Sequence, residues 1–390
     1  MNLRDYQWFR NPRGLHNTNV FQQINLDRYI RPRLGWAKLV TGKDEYYLPY
    51  DSGPSIVQRL IANRIMPVIR IFRTYMGALR PENDPQGDDW YGELYPNYIA
   101  QGVRWFELYN EPNLAAEWPG GGWGMDITWE NRDLIQPLMD SWIDWAERLI
   151  QLGGYPAFPA LAESADYKHA TVYWMRAMLL YLRERHETRF RWVLGNGLWC
   201  ATHPYIANHF YQEPPGGPPY AARQPHEQRA AEPGWHFEYP YDPLQQRRDP
   251  GRTVFGGTAL TPNGDPNGLI ASGLAFQQLL WKYFRGGPVP VLGTEGGIWR
   301  IPAPWDPPHI IDDRYPGYTW DSHAEATMAM WSWIAKKAPP WFFGVTTWSE
   351  PDWYDINGTV PVVQRMEQEE PVLKAVPDIE VRTGETPGLS

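Results

Sequence analysis

The chain alternates short apolar runs with longer segments in which apolar residues recur every three or four positions. The short runs predict β-strands, and the longer spacing predicts helices with one buried face. Eight runs have the pattern of strands: 14–16, 37–40, 66–72, 103–109, 157–161, 191–194, 289–293 and 341–348. Six segments have the pattern of amphipathic helices: 26–31, 56–63, 134–152, 166–186, 269–284 and 324–336.

Strands that alternate with helices indicate a parallel sheet, and eight such units are what a (β/α)₈ barrel of the α/β class requires. A chain of 390 residues suits one barrel with long loops. We therefore predict a single barrel domain over residues 1–376 and a polar, flexible tail over residues 377–390.

Two insertions interrupt this pattern. Residues 211–267 follow the sixth predicted strand, and residues 300–320 follow the seventh; both are rich in proline. Because the loops after barrel strands emerge on the face that carries the pocket, we expect both insertions to wall or cover it. Surface elaborations or an oligomer contact are the alternative interpretation.

The chain contains 22 Trp, 23 Tyr and 13 Phe. Most of these rings belong in a core, but flat rings also stack on the faces of sugars, and loops carry binding groups. Tryptophans near predicted strand ends are therefore candidate sugar platforms, although packing under a loop is the plainer interpretation of each. They are Trp118, Trp123, Trp199 and Trp299.

The formal net charge of −9 argues against a nucleic-acid partner, because an acidic chain gains nothing from neutralising phosphates. Cys200 is the single cysteine, which excludes an intrachain disulfide. No apolar stretch reaches the roughly 18 residues of a membrane span, and residues 1–13 lack the apolar core of a signal peptide. We expect a cytoplasmic protein, although a secreted one whose signal had been removed would look the same.

Two glutamates directly follow predicted strands. Glu111 follows the fourth, in Phe-Glu-Leu-Tyr-Asn-Glu-Pro, and Glu295 follows the seventh, in Val-Leu-Gly-Thr-Glu. A carboxylate at the carboxyl end of a barrel strand points into the mouth of the pocket. Either glutamate alone could cap a helix or pair with an arginine, but the two together can face each other across a bound sugar.

Glycoside cleavage requires such a pair of carboxyl groups. One protonates the leaving oxygen, and the other attacks the anomeric carbon or activates a water molecule. If Glu295 is ionised, its charge helps Glu111 to keep a proton and act as the acid. Formation of a glycosyl-enzyme removes that charge, so Glu111 can then act as the base.

The run Asn110-Glu111-Pro112 after the fourth strand resembles glycoside hydrolase clan A, which includes families 5 and 39. The resemblance implies that Glu111 is the acid/base, that Glu295 is the nucleophile and that Asn110 binds the sugar 2-hydroxyl. His203-Pro204-Tyr205 is similar to the His-x-Tyr element of the clan, which implies that Tyr205 hydrogen-bonds to the nucleophile. Trp348, which ends the eighth strand, matches the clan's sugar-stacking tryptophan.

The resemblance runs from about Gly14 to Trp348 and has two departures. Gly296-Gly297 follow Glu295, where several families of the clan place an aromatic residue. The long loop after the sixth strand matches no family of the clan that we can identify. Both departures bear on which sugar is bound and leave the chemistry unchanged.

Polar residues on the early strands are further candidates for contacts with sugar hydroxyls or the nucleophile. They are His16, Lys38 and Arg70. A charge such as Arg70 in an apolar strand needs a partner, and a structural ion pair inside the barrel is the alternative to a substrate contact. Glu163 and Glu350 follow the fifth and eighth strands; we interpret both as solvated loop charges, with a subsite role as the alternative.

The sequence thus predicts a retaining β-glycosidase that needs no cofactor and no metal, binds carbohydrate and has an oligomeric state that the sequence leaves open. A non-catalytic carbohydrate-binding barrel and a transglycosidase that uses the same residues are the alternatives. A metal-dependent hydrolase is a weaker one, because no His-x-His signal follows a strand. The long insertions favour a cleft blocked at one end, and so exo action on short oligosaccharides.

Overall fold

The computed structural model describes residues 1–17, 24–41, 46–50, 52–72, 90–206, 237–238, 240–241, 246, 249–298 and 320–384. Eight parallel strands close into a barrel in which neighbours in sequence are neighbours in space. They are β1 (Arg13–Asn17), β2 (Trp36–Thr41), β3 (Met66–Ile71), β4 (Trp105–Glu107), β5 (Tyr155–Phe158), β6 (Trp199–Thr202), β7 (Val291–Gly293) and β8 (Phe342–Thr347). The predicted (β/α)₈ barrel is confirmed.

Helices lie between the strands and after β8. They are α1 (Asp27–Ile30), α2 (Ile56–Ala62), α3 (Trp90–Ala100), α4 (Arg132–Leu152), α5 (Thr171–Arg185), α6 (Glu187–Asn196), α7 (Ala271–Phe284), α8 (Trp320–Lys336) and α9 (Pro361–Gln368). The barrel closes where β1 pairs with β8, with Gly14 opposite Thr346. The connections from β6 to α7 and from β7 to α8 are long, at the places where the sequence predicts insertions, and that from β4 to α4 is long as well.

The predicted sixth strand was wrong. Residues 191–194 lie in α6, where Phe190, Val193 and Leu194 form its buried face, and the strand begins at Trp199. A short apolar run fits either a strand or one side of a helix, and here the helical spacing decides. Gly197, with φ 146°, ends the helix and allows the chain to turn into β6.

Aromatic rings from alternate strands fill the amino-terminal end of the barrel. Trp105 of β4 lies 5.0 Å from Trp36 of β2, 5.2 Å from Trp199 of β6 and 6.0 Å from Phe343 of β8, between ring centroids. A layer built from four alternate strands is the usual packing of such a barrel. Trp199 is therefore a core residue at the end opposite the pocket, and its interpretation as a sugar platform was wrong.

Residues 1–3 pair with residues 379–381. The backbone N–H of Leu3 donates to the carbonyl of Ile379 at 2.8 Å, and that of Val381 donates to the carbonyl of Met1 at 2.9 Å. Arg382 forms a further bridge with Gly287. The structure differs here from the predicted flexible tail, because buried Val381 and these paired backbone groups hold residues 379–382 against the barrel. Residues 385–390 lie outside the described part.

Among the described helices, none combines the length and the apolar character needed to cross a membrane.

Candidate active site

The carboxyl ends of the strands gather nine of the ten predicted site residues into one network of contacts. The strands and the residues just after them supply His16, Lys38, Arg70, Asn110, Glu111, His203, Tyr205, Glu295 and Trp348. Trp299, the tenth, lies outside the described residues. The predicted site residues therefore lie at the end of the barrel that the sequence predicts.

Glu111 and Glu295 face each other across this mouth. A carboxylate oxygen of each and a ring nitrogen of His203 all lie within 4.8 Å of one another. The Glu111 side chain is 12 % exposed and that of Glu295 is 10 % exposed, so both are open to a ligand from one direction only. Two carboxyl groups this close can act on one atom of a bound molecule from opposite sides.

The backbone of Glu111 adopts a left-handed conformation, with φ 40°. Such a conformation costs a residue with a side chain on the order of 1–3 kcal/mol. Its N–H donates to the carbonyl of Ala160, and its carbonyl accepts from Leu114, both at 2.8 Å. These bonds hold the strained turn and direct the Glu111 side chain into the mouth.

His203 lies directly against Glu111, with Nδ1 2.7 Å from Oε1. Its ring is fully buried, which alone would lower its pKa. The negative charges of Glu295, Glu111 and Glu107 outweigh burial and raise the pKa of His203 above its usual value. His203, the first residue of the His-x-Tyr element, thus holds the side chain of Glu111, and a contact of His203 with substrate stays a prediction.

Glu295 is held by Tyr205, whose hydroxyl donates to Oε1 at 2.5 Å. Burial, followed by the charge of Glu295, raises the pKa of Tyr205 well above its usual value, so the phenol remains a donor. His16 Nε2 lies 3.6 Å from Oε2 of Glu295. Burial and the positive charges of Lys38 and Arg70 lower the pKa of His16 well below its usual value, so this imidazole is neutral.

Gly296 and Gly297, the departure from the clan pattern, allow a close backbone approach. Tyr205–Ile206 and Gly297–Ile298 pair as a two-stranded parallel ladder above the barrel. A Cβ on Gly296, at φ 109°, would lie 2.5 Å from the carbonyl oxygen of Pro204, and one on Gly297 would lie 2.6 Å from Thr347. Glycine at both positions lets the segment after Glu295 pack on the segment that carries Tyr205.

Asn110 is fixed at both ends of its amide. Its Oδ1 accepts a short hydrogen bond from Arg70, and its side chain also hydrogen-bonds to Glu117 of the 3₁₀ turn Ala115–Glu117. Burial, followed by the charges of Glu111 and Glu295, raises the pKa of Glu117. Glu117 is a third carboxyl group of the site, which the sequence analysis missed because no strand precedes it.

A buried ion pair lies below the two facing glutamates. Lys38 Nζ is 2.5 Å from Oε2 of Glu107, and Arg70 lies 3.8 Å from Oε1 of Glu107. Lys38 and Glu107 are both 0 % exposed. Burial alone would raise the pKa of Glu107, but Lys38, His203 and Arg70 hold its pKa at about 2. Lys38 was wrongly predicted to contact substrate, because its ammonium group is enclosed beneath the pocket.

Glu107 was not predicted as a site residue, although its position in the apolar run before Glu111 is a signal. A carboxylate inside a barrel strand requires a buried cation, and Lys38 in another apolar strand supplies it. Arg70 forms the ion pair that was the alternative prediction, because its guanidinium group lies near Glu107, and it also hydrogen-bonds to Asn110. A contact of Arg70 with substrate stays a prediction.

Replacing Glu107 with Gln should destabilise the fold, because it leaves the Lys38 ammonium buried without its counter-charge. We expect the free energy of unfolding at pH 7 to fall by about 3–5 kcal/mol, measured by urea unfolding. The paired replacement Glu107→Gln with Lys38→Met should restore part of that loss, since it removes both charges.

The difference in the free energy of unfolding between wild type and Glu107→Gln should also depend on pH. A carboxyl group whose pKa falls from 4.5 to about 2 on folding stabilises the protein fully above pH 4.5, and the stabilisation is lost as the pH falls through about 2. The gap between wild type and Glu107→Gln should therefore narrow below pH 4.5. An equal gap at pH 7 and pH 2.5 would contradict the assignment.

The remaining aromatic candidates lie in different surroundings. Trp348 is half-buried, with its ring 4.8 Å from the His16 ring between centroids, and its backbone N–H donates to Gly296. Trp118 is buried, and its Nε1 donates to the carbonyl of Pro112, so it supports the loop of Glu111. Trp123 is 91 % exposed. Of these, Trp348 is the ring beside the facing glutamates.

The two glutamates interpreted as solvated loop charges both have enclosed carboxyl groups. Glu350 is 5 % exposed and lies 2.5 Å from Arg28, which links the loop after β8 to α1. The carboxyl oxygens of Glu163 are buried after β5. The interpretation of both as solvated was wrong, because the loops fold back over the barrel instead of standing out from it.

The facing glutamates and His203 could also hold a metal ion, since each offers one ligand atom within the 4.8 Å cluster. In the structure, however, Nδ1 of His203 is engaged by Glu111 and Oε1 of Glu295 by Tyr205. An ion bound through these two atoms would have to replace both hydrogen bonds.

No protein-family model matches the sequence, and no curated protein matches it. Among solved structures, the chain is similar to a GH128 (subgroup II) endo-β-1,3-glucanase from Sorangium cellulosum, with 11% identity, TM-score 0.48 and coverage of 92% of this chain and 98% of that one. The chain is also similar to a GH128 (subgroup I) endo-β-1,3-glucanase from Amycolatopsis mediterranei, with 12% identity, TM-score 0.43 and coverage of 92% of this chain and 98% of that one. A β-glucosidase from Thermotoga maritima is similar with 12% identity, TM-score 0.38 and coverage of 83% of this chain and 75% of that one. Identities and TM-scores this low do not show a shared activity, so the chemistry of this chain has to be inferred from the geometry of its site.

Proposed function

We propose that the protein is a retaining glycoside hydrolase that cleaves β-linked glycosides, with Glu111 as acid/base and Glu295 as nucleophile. The observation that carries this proposal is the spacing of the two carboxylates, whose oxygens approach within 4.8 Å. Retaining glycosidases hold their carboxyl groups about 5–5.5 Å apart, whereas inverting enzymes leave about 6.5–9.5 Å for a water molecule. Carboxylate oxygens no more than 4.8 Å apart leave less room than the water molecule of an inverting enzyme needs, which supports direct attack by a carboxylate.

In the first step, a Glu295 oxygen bonds to the anomeric carbon while the bond to the leaving oxygen breaks. Glu111 gives its proton to that oxygen, so the aglycone leaves as an alcohol. The Tyr205 hydroxyl fixes Glu295 for attack and stays protonated throughout. His16 lies beside Oε2 of Glu295 and is neutral, so it adds no positive charge that would make the Glu295 carboxylate a weaker nucleophile.

In the second step, Glu111 takes a proton from water, whose oxygen attacks the anomeric carbon and releases Glu295. His203 serves both steps, because its Nδ1 lies 2.7 Å from Glu111 and can donate to the carboxylate left after the first proton transfer. The buried Glu107 in turn offsets the positive charge of His203 and Lys38 from below. No group outside the protein and water is needed to balance the protons.

The sugar is placed by the residues around the two glutamates. Trp348 offers a half-buried ring beside Glu295 for stacking on a sugar face. Asn110, held by Arg70 and Glu117, presents its amide next to Glu111, where a sugar 2-hydroxyl would lie. Hydrogen bonds to that hydroxyl strengthen in the transition state, so a fixed amide contributes more to the rate than to binding.

The proposal is tested by the stereochemistry of the first product. A panel of aryl β-glycosides (glucoside, galactoside, mannoside, xyloside, fucoside and glucuronide) is followed by proton NMR, with EDTA present in a parallel series. We expect a β-anomer from a β-substrate, at equal rate in both series. An α-anomer first would contradict retention, and a loss of rate in EDTA would favour the metal-dependent reading of the same three side chains.

A further inference from the structure

A second cavity lies between α4 and α5 and the loops that lead into these two helices. Its volume of about 530 Å³ falls within the roughly 300–1,000 Å³ that ligand pockets usually have. The residues that line it are different from those that hold Glu111 and Glu295. Because barrel helices begin at the carboxyl ends of the strands, one end of the cavity lies at the same face of the barrel as the candidate active site.

Three aromatic rings pack together in the wall of this cavity. The Trp129 ring centroid lies 5.7 Å from that of Tyr167 and 5.2 Å from that of Tyr173, and the two tyrosine rings are 5.8 Å apart. Trp129 and Tyr173 are half-buried and pack against the core, whereas Tyr167 is 45 % exposed. The three rings therefore rest on the core and offer the Tyr167 ring to a ligand.

Hydrogen bonds fix these rings in place. Trp129 Nε1 donates to the carbonyl of Tyr167 at 3.1 Å, and the Tyr167 hydroxyl donates to Oε1 of Glu130 at 3.1 Å. The Asn113 amide donates to the carbonyl of His169 at 2.9 Å, which ties the loop of Tyr167 to the segment after β4. A ring surface that is already ordered loses little conformational freedom when a ligand binds to it.

Charged side chains stand beside the rings. Glu130, Arg132 and Arg176 line the cavity and are exposed, and Arg132 pairs with Glu184 at 2.5 Å. A pyranose ring combines an apolar C–H face with a rim of hydroxyl groups, so it requires an aromatic face with hydrogen-bond donors and acceptors next to it. The Tyr167 ring, the Glu130 carboxylate and the guanidinium group of Arg176 supply all three.

Small charged ligands fit this wall less well. Three aromatic rings can also bind a quaternary ammonium ion by cation–π attraction. Here the guanidinium groups of Arg132 and Arg176 line the same cavity and would repel such a cation, while Glu130 would repel an anion. The mixture of charges therefore favours a neutral sugar.

We propose that this cavity is a second carbohydrate-binding site, which holds a neutral oligosaccharide by stacking on Tyr167 and by hydrogen bonds to Glu130 and Arg176. Such a site goes beyond the proposed function, because it binds a glycan without cleaving it and uses neither of the facing glutamates. β-Linked hexasaccharides of glucose, xylose and mannose present flat pyranose faces of the required kind and serve as probes.

Methyl NMR locates the binding. Ala177 and Leu180 line the cavity, so their methyl signals report a ligand there and not at the facing glutamates. Cellohexaose, laminarihexaose, xylohexaose and mannohexaose are titrated in turn, up to millimolar concentration, into the Glu295→Gln protein, so that no chain is cleaved during the measurement. We expect at least one hexasaccharide to shift both signals to saturation, and we expect choline to shift neither. Unmoved signals with all four chains would overturn the proposal, and saturable shifts with choline in place of the sugars would assign the cavity to a cation.

Variants made in the same Glu295→Gln protein test the individual contacts. Tyr167→Ala should raise the Kd obtained from these signals about 5-fold or more, because it removes the ring on which the sugar stacks, whereas Tyr167→Phe keeps the ring and should stay within about 2-fold. Arg176→Ala should raise the Kd about 3-fold or more through the lost hydrogen bond. Trp192→Ala is the matched control, since it removes a ring that is 41 % exposed on α6 and does not line the cavity, and it should leave the Kd unchanged.

An unchanged Kd in Tyr167→Ala would overturn the proposal. If Tyr167→Ala melts far below its parent, Arg176→Ala decides instead, because its side chain is exposed, and an unchanged Kd there would overturn the proposal.

Activity separates this inference from the proposed function. With Glu295 intact, Tyr167→Ala should cleave aryl glycosides with kcat within about 2-fold of wild type, since it leaves the two carboxyl groups and their hydrogen bonds in place. A larger fall would show that Tyr167 acts on the carboxyl pair and would contradict a separate site. Glycan binding that depends on Tyr167, without cleavage of any glycoside, would contradict only the proposed function. Cleavage without shifts at Ala177 and Leu180 would overturn only the second site.

Discussion

Glu295→Gln is expected to lower kcat by roughly 10⁴-fold or more, because the amide cannot form the covalent bond to the anomeric carbon that splits the reaction into two steps. The amide has nearly the same shape, and its oxygen can still accept from Tyr205 in place of the carboxylate. The melting temperature and KM should therefore change little. The measurement is steady-state kinetics on the aryl glycoside that the panel identifies, beside a thermal melt.

Tyr205→Phe is the matched control, since it removes the hydrogen bond to Glu295 and leaves the carboxylate in place. Its loss of kcat should be much smaller, on the order of 10-fold to 100-fold. Near-normal turnover in Glu295→Gln would show that another group attacks, and the assignment of the nucleophile would be wrong. Added azide should rescue Glu295→Ala only by forming a glycosyl azide of opposite anomeric configuration to the substrate.

Glu111→Ala is expected to lower kcat by about 10²–10⁴-fold on glycosides with poor leaving groups, because it removes the proton donor and later the base. With a good leaving group such as dinitrophenol, the first step needs no acid, so the glycosyl-enzyme should form quickly and accumulate. Azide, which needs no base, should then attack the intermediate and restore turnover with retained configuration. Burst kinetics and NMR of the azide product measure both effects.

The contrast between the two variants is the decisive result. Equal losses of Glu111→Ala on poor and good leaving groups would contradict its role as the acid. Azide products of the same configuration from both variants would contradict the separate roles. His203 adds a control, because His203→Gln keeps a donor near Glu111 without a charge and should lower the rate less than Glu111→Ala.

Much of the fold and the two facing glutamates could be predicted from local patterns. Strands such as β3 and β8 are short apolar runs, and helices such as α4 carry a regular apolar face over many turns. A parallel barrel brings the carboxyl ends of all its strands to one face. A glutamate just after an apolar run therefore has a predictable position, which is why Glu111 and Glu295 could be placed near each other in advance.

What could not be predicted depends on contacts between distant segments. Residues 191–194, which were predicted to be the sixth strand, fit a helix face equally well, and only packing shows that they belong to α6 and not to β6. Lys38 and Glu107 are ordinary charged residues in sequence, and only the closed barrel joins them. Glu163 and Glu350 follow strands as Glu295 does, but loop folding buries one without a described hydrogen-bond partner and pairs the other with Arg28.

The aromatic layer at the amino-terminal end of the barrel has an evolutionary consequence. Trp36, Trp105 and Trp199 begin strands whose other ends carry or precede the polar residues of the site. Each of these strands is thus divided between a first residue that anchors the fold and a far end that carries or precedes the polar network of the site. The aromatic layer stabilises the barrel at the end away from the loops. Loop substitutions that each lower the stability can therefore be tolerated, and new ligand preferences can be acquired without unfolding the barrel.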